Sequence, residues 1–549
     1  MKRKILALLG TALMLPAISG CVTEIDYSKS PVTTTSPEDV VDNKEIEQET
    51  VIIPEIAAAD LYSPSKSVVA EEEYSEVYQP EFTTEAQSYT DGLTGFNGSG
   101  FICLGNKEYT TLNVRVPSSQ HYRIGVRICS AGTAVALIGG GSREIDSPDG
   151  EYKTIDGTTF GAVYASESTE FGYVYLNGIY LGKGDNKLTL QSLSGTAYID
   201  EISVESAPTV SDLAYEISNS CVNKNANETT KTVKKYLADI YGNRVLTGQY
   251  CSSGTNTEIN AIYMDTGRYS AIRCADIGIF TEYYTPSDRN NEDEIDAAIN
   301  WWKNGGLVSY SWYWYSPEAG NSHYSSAITG YDLSEAVCDS SFAVLSPTSL
   351  EAYEQTGRVS SQALKLIADM DEVAAKLKLL EAQDVPVIFR PLPEAGNGWY
   401  WWGQDSESYL WLYKFIFERF NEYHKLTNII WVWDGEAYDY YPGDDYVDIV
   451  GMDLYSHSDI SGNTRMLDAI SYTIKSKAVA LTECGRIPNP DYIVRDNAYW
   501  LWFALWKGDY IINSDGSVSY SHVTKEELDY AYNNELYITL DELPDFSRY

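Results

Sequence analysis

The C-terminal part of the chain, from about residue 208, alternates short apolar runs with longer amphipathic stretches. Each run has six to ten residues and is apolar at most positions, as expected for parallel strands that are buried on both faces. The eight runs span residues 244–249, 269–278, 306–314, 385–394, 428–434, 446–455, 478–485 and 500–506. Amphipathic segments at 293–304, 361–383, 407–424 and 463–475 have helical spacing. These repeats predict a (β/α)8 TIM barrel over residues 208–549.

Residues 81–207 have a different pattern, with short alternating segments separated by turn residues. Examples are residues 110–116, 122–128, 172–176, 187–190 and 197–204. Strands at this spacing, without helical stretches, predict an all-β sandwich of the jelly-roll type. Asn177-Gly178 is expected to form a hairpin turn between two of the strands. The chain is therefore predicted to be multidomain, with the sandwich before the barrel.

The first 80 residues predict export and anchoring rather than a folded domain. Lys2-Arg3-Lys4 precedes a short apolar stretch that ends at Ile18-Ser19-Gly20-Cys21. This resembles a bacterial lipobox, so residues 1–20 would be a lipoprotein signal peptide and Cys21 the lipidated first residue. Residues 21–80 are predicted to be a disordered acidic tether. The location expected is the bacterial cell envelope, at the cell surface or outer membrane; a plain signal peptide is the alternative.

Composition narrows the possible partners. The formal net charge is −40, so a negatively charged surface repels phosphate backbones and nucleic acid is not an expected partner. The five histidines are scattered singly, without the paired spacing of a zinc site, so no zinc site is predicted and no metal ligand is assigned among them. The 45 tyrosines and 13 tryptophans suit stacking on sugar rings.

Without Cys21, seven cysteines remain, an odd number with no CxxC pair. This argues against a disulfide scaffold and against a metal knuckle. Cys103 and Cys129 lie in strand-like runs of one domain, where a disulfide and two buried free thiols are both compatible with the sequence.

Two glutamates lie at the ends of predicted barrel strands. Glu394 closes the run at 385–394, and Glu483 lies near the end of the run at 478–485. TIM barrels place their chemistry at the C-terminal ends of the strands. A retaining glycosidase needs two carboxyl groups about 5–5.5 Å apart, one as acid/base and one as nucleophile. Asp434 and Glu436 are rival carboxylates, but they lack an aromatic frame and are expected to be structural.

The segment 389–403, Phe-Arg-Pro-Leu-Pro-Glu-Ala-Gly-Asn-Gly-Trp-Tyr-Trp-Trp-Gly, is the most specific in the chain. It closely resembles glycoside hydrolase family 26, whose members are mostly endo-β-1,4-mannanases built on a TIM barrel. Further matches lie in order at 246–249, 305–312, 451–455, 482–485 and 503–507. The resemblance implies that Glu394 is the acid/base and Glu483 the nucleophile of a retaining enzyme.

The same resemblance implies roles for residues around the two carboxylates. Tyr455 would donate a hydrogen bond that keeps Glu483 ionised, and Asp453 would orient a neighbouring group or a sugar hydroxyl. Arg390 is expected to position a carboxylate. The expected sugar-contacting aromatic residues are Trp312, Trp399 and Trp506.

The chain departs from the family at three positions. Many members have a histidine directly before the acid/base, where this chain has Pro393. Histidines are also common at the positions of Tyr250 and Tyr313. Tyrosine hydroxyls can replace a ring nitrogen as donors, whereas proline cannot donate. The two-carboxylate machinery is intact, and the departures affect the substrate contacts.

The sandwich resembles carbohydrate-binding modules of families 6 and 35. The resemblance rests on the glycine-rich segment 95–101, the strand end at 116–117, the segment 184–186 and the closing segment 198–202. It implies glycan binding and a structural calcium, for which Glu85 and Asp200 are the acidic candidates. A spacer without a ligand is the alternative.

Together these features predict a monomeric, lipid-anchored endo-β-mannanase that retains configuration and needs no cofactor. The substrate expected is a polysaccharide of the β-mannan class. One alternative is another β-glycanase of the same family, acting on mixed-linkage glucan or β-1,3-xylan. The other is a non-catalytic lipoprotein that binds glycan at the surface.

Overall fold

A computed structural model gives the architecture of most of the chain after the N-terminal region. It describes residues 67–68, 73–80, 87–130, 134–139, 143–145, 152–154, 159–165, 167–192, 195–281, 291–317, 322–324, 329–455 and 461–549. Cys21, most of the proposed tether and Glu85 lie outside these residues. The described chain divides into one compact unit that contains Val68–Thr209 and residues 461–464, and a second that contains Val210–Tyr455 and Arg465–Tyr549.

The first unit is built from antiparallel strands. The strands of this part of the chain are β1 Ser67–Val68, β2 Ser75–Tyr78, β3 Ser88–Tyr89, β4 Phe101–Leu104, β5 Tyr109–Val116, β6 Gln120–Ser130, β7 Ala134–Gly139, β8 Arg143–Ile145, β9 Tyr152–Thr154, β10 Thr159–Tyr164, β11 Ser168–Leu181, β12 Gly184–Ser192, β13 Ala197–Ser206 and β14 Thr209–Val210. One sheet has the order β10-β7-β12-β5, and the other has the order β11-β6-β13-β4-β3 with β2 beside β13.

These two sheets share one buried core. Leu112 and Leu188 contribute from the first sheet, and Ile124 and Ile202 contribute from the second. Each strand places alternate residues on the inner face, which is why the sequence alternates along 110–116. The all-β prediction for this part of the chain agrees with the sheets that the structure describes.

The predicted hairpin turn at Asn177-Gly178 is wrong. Both residues lie inside β11, which continues to Leu181 along β6. The register shifts between Leu176 and Ile179, so the dipeptide forms a bulge rather than a reversal. Gly178 has a φ of 68°, a conformation that glycine adopts easily in turns and bulges alike. The Asn-Gly pair therefore predicted a left-handed backbone at Gly178 correctly, but not that the strand continues through it.

The second unit contains a closed barrel of eight parallel strands, as predicted. The strands are β15 Val245–Tyr250, β16 Ile272–Asp276, β17 Leu307–Trp312, β18 Val387–Pro391, β19 Ile429–Trp433, β20 Ile449–Leu454, β21 Ala478–Cys484 and β22 Trp502–Leu505. Neighbours in sequence pair in order, and β15 pairs with both β16 and β22 to close the barrel. A short ninth strand, β23 Tyr537–Ile538, pairs in parallel with the first residues of β15.

Helices follow most of the barrel strands. They are α1 Glu228–Ile240, α2 Thr257–Thr266, α3 Asn291–Lys303, α4 Pro347–Glu354, α5 Ser361–Glu381, α6 Ser406–Glu418, α7 Asn463–Ser471, α8 Pro490–Asp496 and α9 Lys525–Tyr532. Short 3₁₀ turns occur at Asp212–Tyr215, Gly278–Phe280, Leu333–Ala336, Ser340–Val344, Ala395–Asn397, Trp401–Gly403, Tyr438–Tyr440, Gly508–Tyr510 and Leu540–Glu542, and a π-helical turn at Arg419–Tyr423 extends α6. Within the described residues, none of the helices is long and apolar enough to span a bilayer.

The cysteines after position 100 all have free thiols, which settles the choice left open for Cys103 and Cys129. Cys129 is buried and donates its thiol hydrogen to the carbonyl of Ser168 at 2.8 Å. Among the described residues, no group of three histidine, cysteine, aspartate or glutamate side chains is arranged to hold a metal ion.

Candidate active site

Glu394 lies in a tight turn just beyond the C-terminal end of β18. Leu392 and Glu394 both have left-handed backbones, with φ of 54° and 53°, and such strain persists only where neighbouring groups enforce it. The N–H of Glu394 donates to the carbonyl of Asp434 at 2.6 Å, and the N–H of Gly396 donates to Gly435 at 2.7 Å. A Cβ on Gly396 would lie 2.5 Å from the side chain of Ala437, so only glycine allows this approach.

Glu483 is positioned by an irregularity in β21. The pairing with β20 shifts between Met452, which faces Leu481, and Asp453, which faces Glu483. The extra residue is Thr482. A bulge of this kind re-aims the side chains around it. Thr482 and Glu483, although consecutive, therefore both contact residues of the buried polar cluster described next.

Arg390, on β18, is the centre of that cluster. It is about 1 % exposed, and three carboxylates surround its guanidinium. Nη1 donates to Glu483 Oε1 at 2.6 Å, and Nη2 donates to Asp453 Oδ2 at 2.6 Å. Nε forms an ion pair with Asp434 Oδ2 at 2.7 Å. The sequence-based expectation that Arg390 positions a carboxylate is confirmed, and the structure adds that it positions three.

Tyrosine hydroxyls supply further donors to the two candidate catalytic groups. Tyr455 donates to Glu483 Oε2 at 3.0 Å, and Tyr313 donates a short hydrogen bond to Oε1. Tyr400 donates to Glu394 Oε2 at 3.1 Å. The rings of Tyr313 and Tyr400 are 5.6 Å apart, so the two glutamates are held in one cleft by neighbouring tyrosines.

The two glutamates have different surroundings. Burial raises the pKa of Glu394 well above its usual 4.5, and the negative charges of Glu436 and Glu483 raise it further, while Arg390 opposes them. Glu483 instead accepts hydrogen bonds from a guanidinium and two hydroxyls. The raised pKa of Glu394 favours the protonated form that the acid of a retaining glycosidase needs.

Of the three tryptophans expected to contact sugar, two lie at the cleft. Trp506 is partly exposed, with its ring 4.7 Å from Tyr250 and 6.1 Å from Tyr313. Trp399 is also partly exposed, next to Tyr400. Both rings are therefore partly exposed beside tyrosines of the cleft, and their contact with sugar stays a prediction.

The expectation for Trp312 is corrected by the structure. Its ring is fully buried and stacks on Trp314 at 4.1 Å, with Phe420 on the helical side of the barrel. Its neighbour Ser311 contacts Arg390 instead. Because side chains alternate across a strand, Ser311 faces the inside of the barrel and Trp312 packs against the helices.

Asp453 was expected to orient a neighbouring group or a sugar hydroxyl, and the structure shows the first of these. Its carboxylate is buried on Arg390 and Thr482, so it is not placed as a substrate contact. Asp434 and Glu436 were expected to be structural, and both carboxylates contact arginines. Asp434 pairs with Arg390, and Glu436 accepts from the backbone N–H of Asp453 and from Arg465, both at 2.9 Å.

Two residues of the cleft, Tyr400 and His323, were not assigned a role from the sequence. Tyr400 lies inside the diagnostic segment 389–403 but was not assigned a role. Its hydroxyl provides the donor to Glu394 that Pro393 cannot provide, and the Pro393 carbonyl instead accepts from Trp402 at 2.9 Å. His323 packs 5.3 Å from Tyr400, and burial lowers its pKa to about 4, which keeps the imidazole neutral. A lone histidine gives no sequence signal of such a position.

In the first unit, the acidic residue proposed for calcium has other partners. Asp200 is fully buried, forms a short ion pair with Arg127 and accepts from the N–H of Asn97 at 3.0 Å. Arg127 also donates to the Gly95 carbonyl at 2.9 Å. The segments at 95–101 and 198–202 that resemble a carbohydrate-binding module are therefore joined by an arginine, which already neutralises Asp200.

Comparison with known proteins decides the family. The sequence model of "Glycosyl hydrolase family 26" matches residues 222–542, more than half of the chain and all eight barrel strands. The chain belongs to glycosyl hydrolase family 26. It is 29% identical over 472 residues to mannan endo-1,4-beta-mannosidase B of Piromyces sp, covering 84% of this chain and 75% of that one.

Two further comparisons agree with this assignment. The mannan endo-1,4-beta-mannosidase of Bacillus subtilis (strain 168) is 33% identical over 290 residues, which cover 48% of this chain and 73% of that protein. The crystal structure of a Podospora anserina GH26-CBM35 beta-(1,4)-mannanase superposes with a TM-score of 0.54 at 26% identity. It covers 86% of this chain and 100% of that one. As a member of family 26, the chain is a glycoside hydrolase.

Glu394→Gln is expected to weaken the pH dependence of stability in this family 26 barrel. The fold raises the pKa of Glu394, so the protonated carboxyl stabilises the native state below pH 4.5, and this contribution is lost as the pH rises through the raised pKa. Glutamine resembles the protonated acid at every pH. The variant should therefore melt at nearly the wild-type temperature below pH 4.5 and at a higher one in alkali, by roughly 2–4 °C per kcal/mol.

The control for this measurement is Glu535→Gln, which changes an exposed glutamate of the same unit. Differential scanning calorimetry of both variants and the wild type across pH gives the comparison. A Glu394→Gln advantage that stays constant, or shrinks as the pH rises, contradicts the assignment of a raised pKa to Glu394.

Proposed function

We propose that this protein is a retaining endo-β-1,4-mannanase that hydrolyses internal β-mannosidic bonds of mannan, glucomannan or galactomannan. The observation that carries the proposal is the placement of two carboxyl groups in one cleft of a family 26 barrel: Glu394, whose pKa is raised, and Glu483, which accepts hydrogen bonds from Arg390 and two tyrosines. The relatives that cover most of the chain are mannan endo-1,4-beta-mannosidases, and this supports β-mannan as the substrate class.

In the first half of the proposed reaction, Glu394 donates its proton to the glycosidic oxygen while Glu483 attacks the anomeric carbon. The bond to the leaving sugar breaks, and a covalent mannosyl ester forms on Glu483. Arg390 and the hydroxyls of Tyr313 and Tyr455 fix the carboxylate, so that little reorganisation is needed as the ester forms.

The second half reverses the role of Glu394. Once Glu483 is esterified its negative charge is gone, and one of the charges that raise the pKa of Glu394 is removed. Glu394, now ionised, takes a proton from water as the water attacks the anomeric carbon and releases Glu483. Two displacements at one carbon retain its configuration. Tyr400 holds the Glu394 carboxylate in place through this half.

A panel of polysaccharides tests the substrate assignment. The full-length protein is incubated with mannan, galactomannan, glucomannan, mixed-linkage glucan and β-1,3-xylan, and the products are profiled over time. We expect a mixture of manno-oligosaccharides from the earliest times, as endo cleavage requires. Faster release from mixed-linkage glucan or β-1,3-xylan would reject the mannanase assignment, and binding without hydrolysis would reject catalysis altogether.

Tyr313→Phe is expected to lower kcat/KM on mannan by roughly 10- to 100-fold, because a hydrogen bond to a charged group is worth about 1.5–3 kcal/mol. The loss should fall mainly on kcat, since the bond acts on the nucleophile rather than on the sugar. Tyr413→Phe is the matched control: this tyrosine is also buried, but it lies on α6 and donates to the Val432 carbonyl at 3.3 Å. Equal losses in the two variants would mean that the effect is only structural.

We further propose that the antiparallel sheets at 81–207 form a jelly-roll carbohydrate-binding module. The similarity to the Piromyces relative covers more residues than the barrel contains, and the Podospora structure that covers 86% of this chain is described as GH26-CBM35. A groove of about 480 Å³ supports a ligand site at one end of these sheets; its lining includes Leu93, Glu167, Glu170 and Tyr198.

Binding of the full-length protein to insoluble mannan tests this module. All variants also have Glu394→Gln, which slows hydrolysis during the measurement. Tyr198→Ala should weaken binding. Tyr180→Ala is the control, because Tyr198 lies opposite Cys129 on β6 and Tyr180 opposite His121, near the other end of that strand. Unchanged binding with Tyr198→Ala would reject the groove as the site. A structural calcium in this module is proposed from the family resemblance alone. Asp200, one of its two candidate ligands, already forms an ion pair with Arg127.

Anchoring through a lipidated Cys21 is also proposed, on the basis of the signal-like sequence that precedes it. Several acyl chains on one residue hold a protein on a membrane where a single chain is marginal. In a bacterial host, the wild type should fractionate with membranes and incorporate labelled fatty acid. Cys21→Ser should be soluble and unlabelled, and a membrane-bound variant would contradict the proposal.

A further inference from the structure

The hydroxyl of Thr482 is close to three oxygens that normally accept hydrogen bonds. Oγ1 lies 2.7 Å from Asp434 Oδ2, 2.9 Å from Asp453 Oδ1 and 3.2 Å from the carbonyl of Met452. A hydroxyl has one hydrogen, so it donates to only one of them. If both aspartates were ionised, one of the two short contacts would join two oxygens without a proton between them. The arrangement is satisfied when one aspartate is protonated and donates to Thr482.

The surroundings indicate which oxygen has the proton. Asp434 Oδ2 and Asp453 Oδ2 both face nitrogens of Arg390, at 2.7 and 2.6 Å, and a cation disfavours a proton on either. Asp434 Oδ1 is buried and has no hydrogen-bond partner among the described residues, so a proton there would have no acceptor. Asp453 Oδ1 faces Thr482 Oγ1 at 2.9 Å, which can accept.

The local charge also requires a proton. Among the described residues, Arg390 alone is a cation in contact with the three buried carboxylates of Asp434, Asp453 and Glu483. Full ionisation of the three would leave two uncompensated negative charges. Burial raises the pKa of Asp453 well above 3.8, and it raises that of Asp434 only to about 6. The titratable groups that interact with these two aspartates from the neighbouring elements include Arg390, Glu394, Tyr409, Glu436, Tyr472, Glu483 and Cys484.

We infer that Asp453 is protonated on Oδ1 in the resting enzyme, donates to Thr482, and through it supports the hydrogen bond from Thr482 to Asp434. Asp453 is then a neutral positioning residue. Its Oδ2 accepts the hydrogen bond from Arg390. Because Asp453 is uncharged, the positive charge of Arg390 balances only the carboxylates of Glu483 and Asp434. The consequence for catalysis rests on the proposed function, whereas the protonation state itself does not.

Infrared spectroscopy tests the proton directly. The full-length protein with Glu394→Gln, which removes the carboxyl of the acid/base, is labelled with ¹³C in the aspartate side chains and measured at neutral pH. We expect a protonated-carboxyl band that shifts with the label and loses the intensity of one carboxyl when Asp453→Asn is added. A spectrum without an isotope-sensitive band would overturn the inference. So would a band that survives Asp453→Asn and disappears with Asp434→Asn.

Thr482→Val supplies a second readout that does not depend on changing either aspartate. It removes the acceptor of the Asp453 proton, so the band should move to the higher frequency of a weaker hydrogen bond, while Thr482→Ser restores the original position. An unshifted band in Thr482→Val would overturn the inference. In turnover, asparagine mimics a protonated aspartic acid, so Asp434→Asn should lower kcat/KM at least tenfold more than Asp453→Asn; the opposite order would contradict it.

Discussion

Glu483→Ala is expected to lower kcat on mannan by roughly 10⁴- to 10⁶-fold, the range seen when a covalent nucleophile is removed. The loss is large because no other group can form the ester at the anomeric carbon. Arg390, Tyr313 and Tyr455, which now stabilise the carboxylate, would face an empty space. Initial rates of reducing-sugar release give the measurement.

Azide should partly restore activity to Glu483→Ala, because the small anion enters the vacated space and attacks the same face of the sugar. One displacement then gives an α-mannosyl azide with inverted configuration. Glu535→Ala, an exposed change in the same unit, is the control and should keep the wild-type rate. Loss of less than about tenfold in Glu483→Ala would be incompatible with a nucleophile, whose removal costs orders of magnitude more.

Glu394→Ala is expected to lower kcat/KM on mannan by roughly 10²- to 10⁴-fold, the contribution typical of general acid–base catalysis. The loss should depend on the leaving group. A dinitrophenyl β-mannoside leaves without protonation, so its rate of mannosyl-enzyme formation should fall far less than that of the polysaccharide. A residue with only a structural role would lower both rates equally.

The pH profile gives a second signature of Glu394. Wild-type activity should fall as the pH rises through the raised pKa of this carboxyl, because the deprotonated form cannot donate to the leaving oxygen. That alkaline limb should be absent in Glu394→Ala. A limb that is unchanged in the variant would assign the titration, and the acid role, to another group.

The barrel and its two glutamates were predictable because their signals are local. A parallel strand covered on both faces is an apolar run, and the eight runs were found with ends shifted by a few residues. Glu394 and Glu483 follow or end such runs, and closure of the barrel brings strand ends together. The same reasoning could not separate the two faces of β17, where Trp312 and Ser311 are neighbours. Trp312 was predicted to line the cleft, but it is buried in the core, and Ser311 faces the cleft residue Arg390 instead.

The polar cluster around Arg390 was only partly predictable, because it depends on register between strands. Arg390 contacts three carboxylates because of the register between β18 and the neighbouring strands and because of the bulge at Thr482. Neither is visible in a single sequence. The donor from Tyr400 to Glu394 likewise arises from the turn after β18 rather than from spacing along a strand.

The account rests on a double displacement by Glu394 and Glu483, and the anomeric form of the first product tests it most directly. Proton NMR of a manno-oligosaccharide during the first minutes of hydrolysis distinguishes the two outcomes before mutarotation mixes them. We predict that the β anomer of the newly formed reducing end appears first. Initial appearance of the α anomer would show a single displacement by water, which needs carboxyl groups about 6.5–9.5 Å apart, and would contradict the assignment of Glu483 as nucleophile.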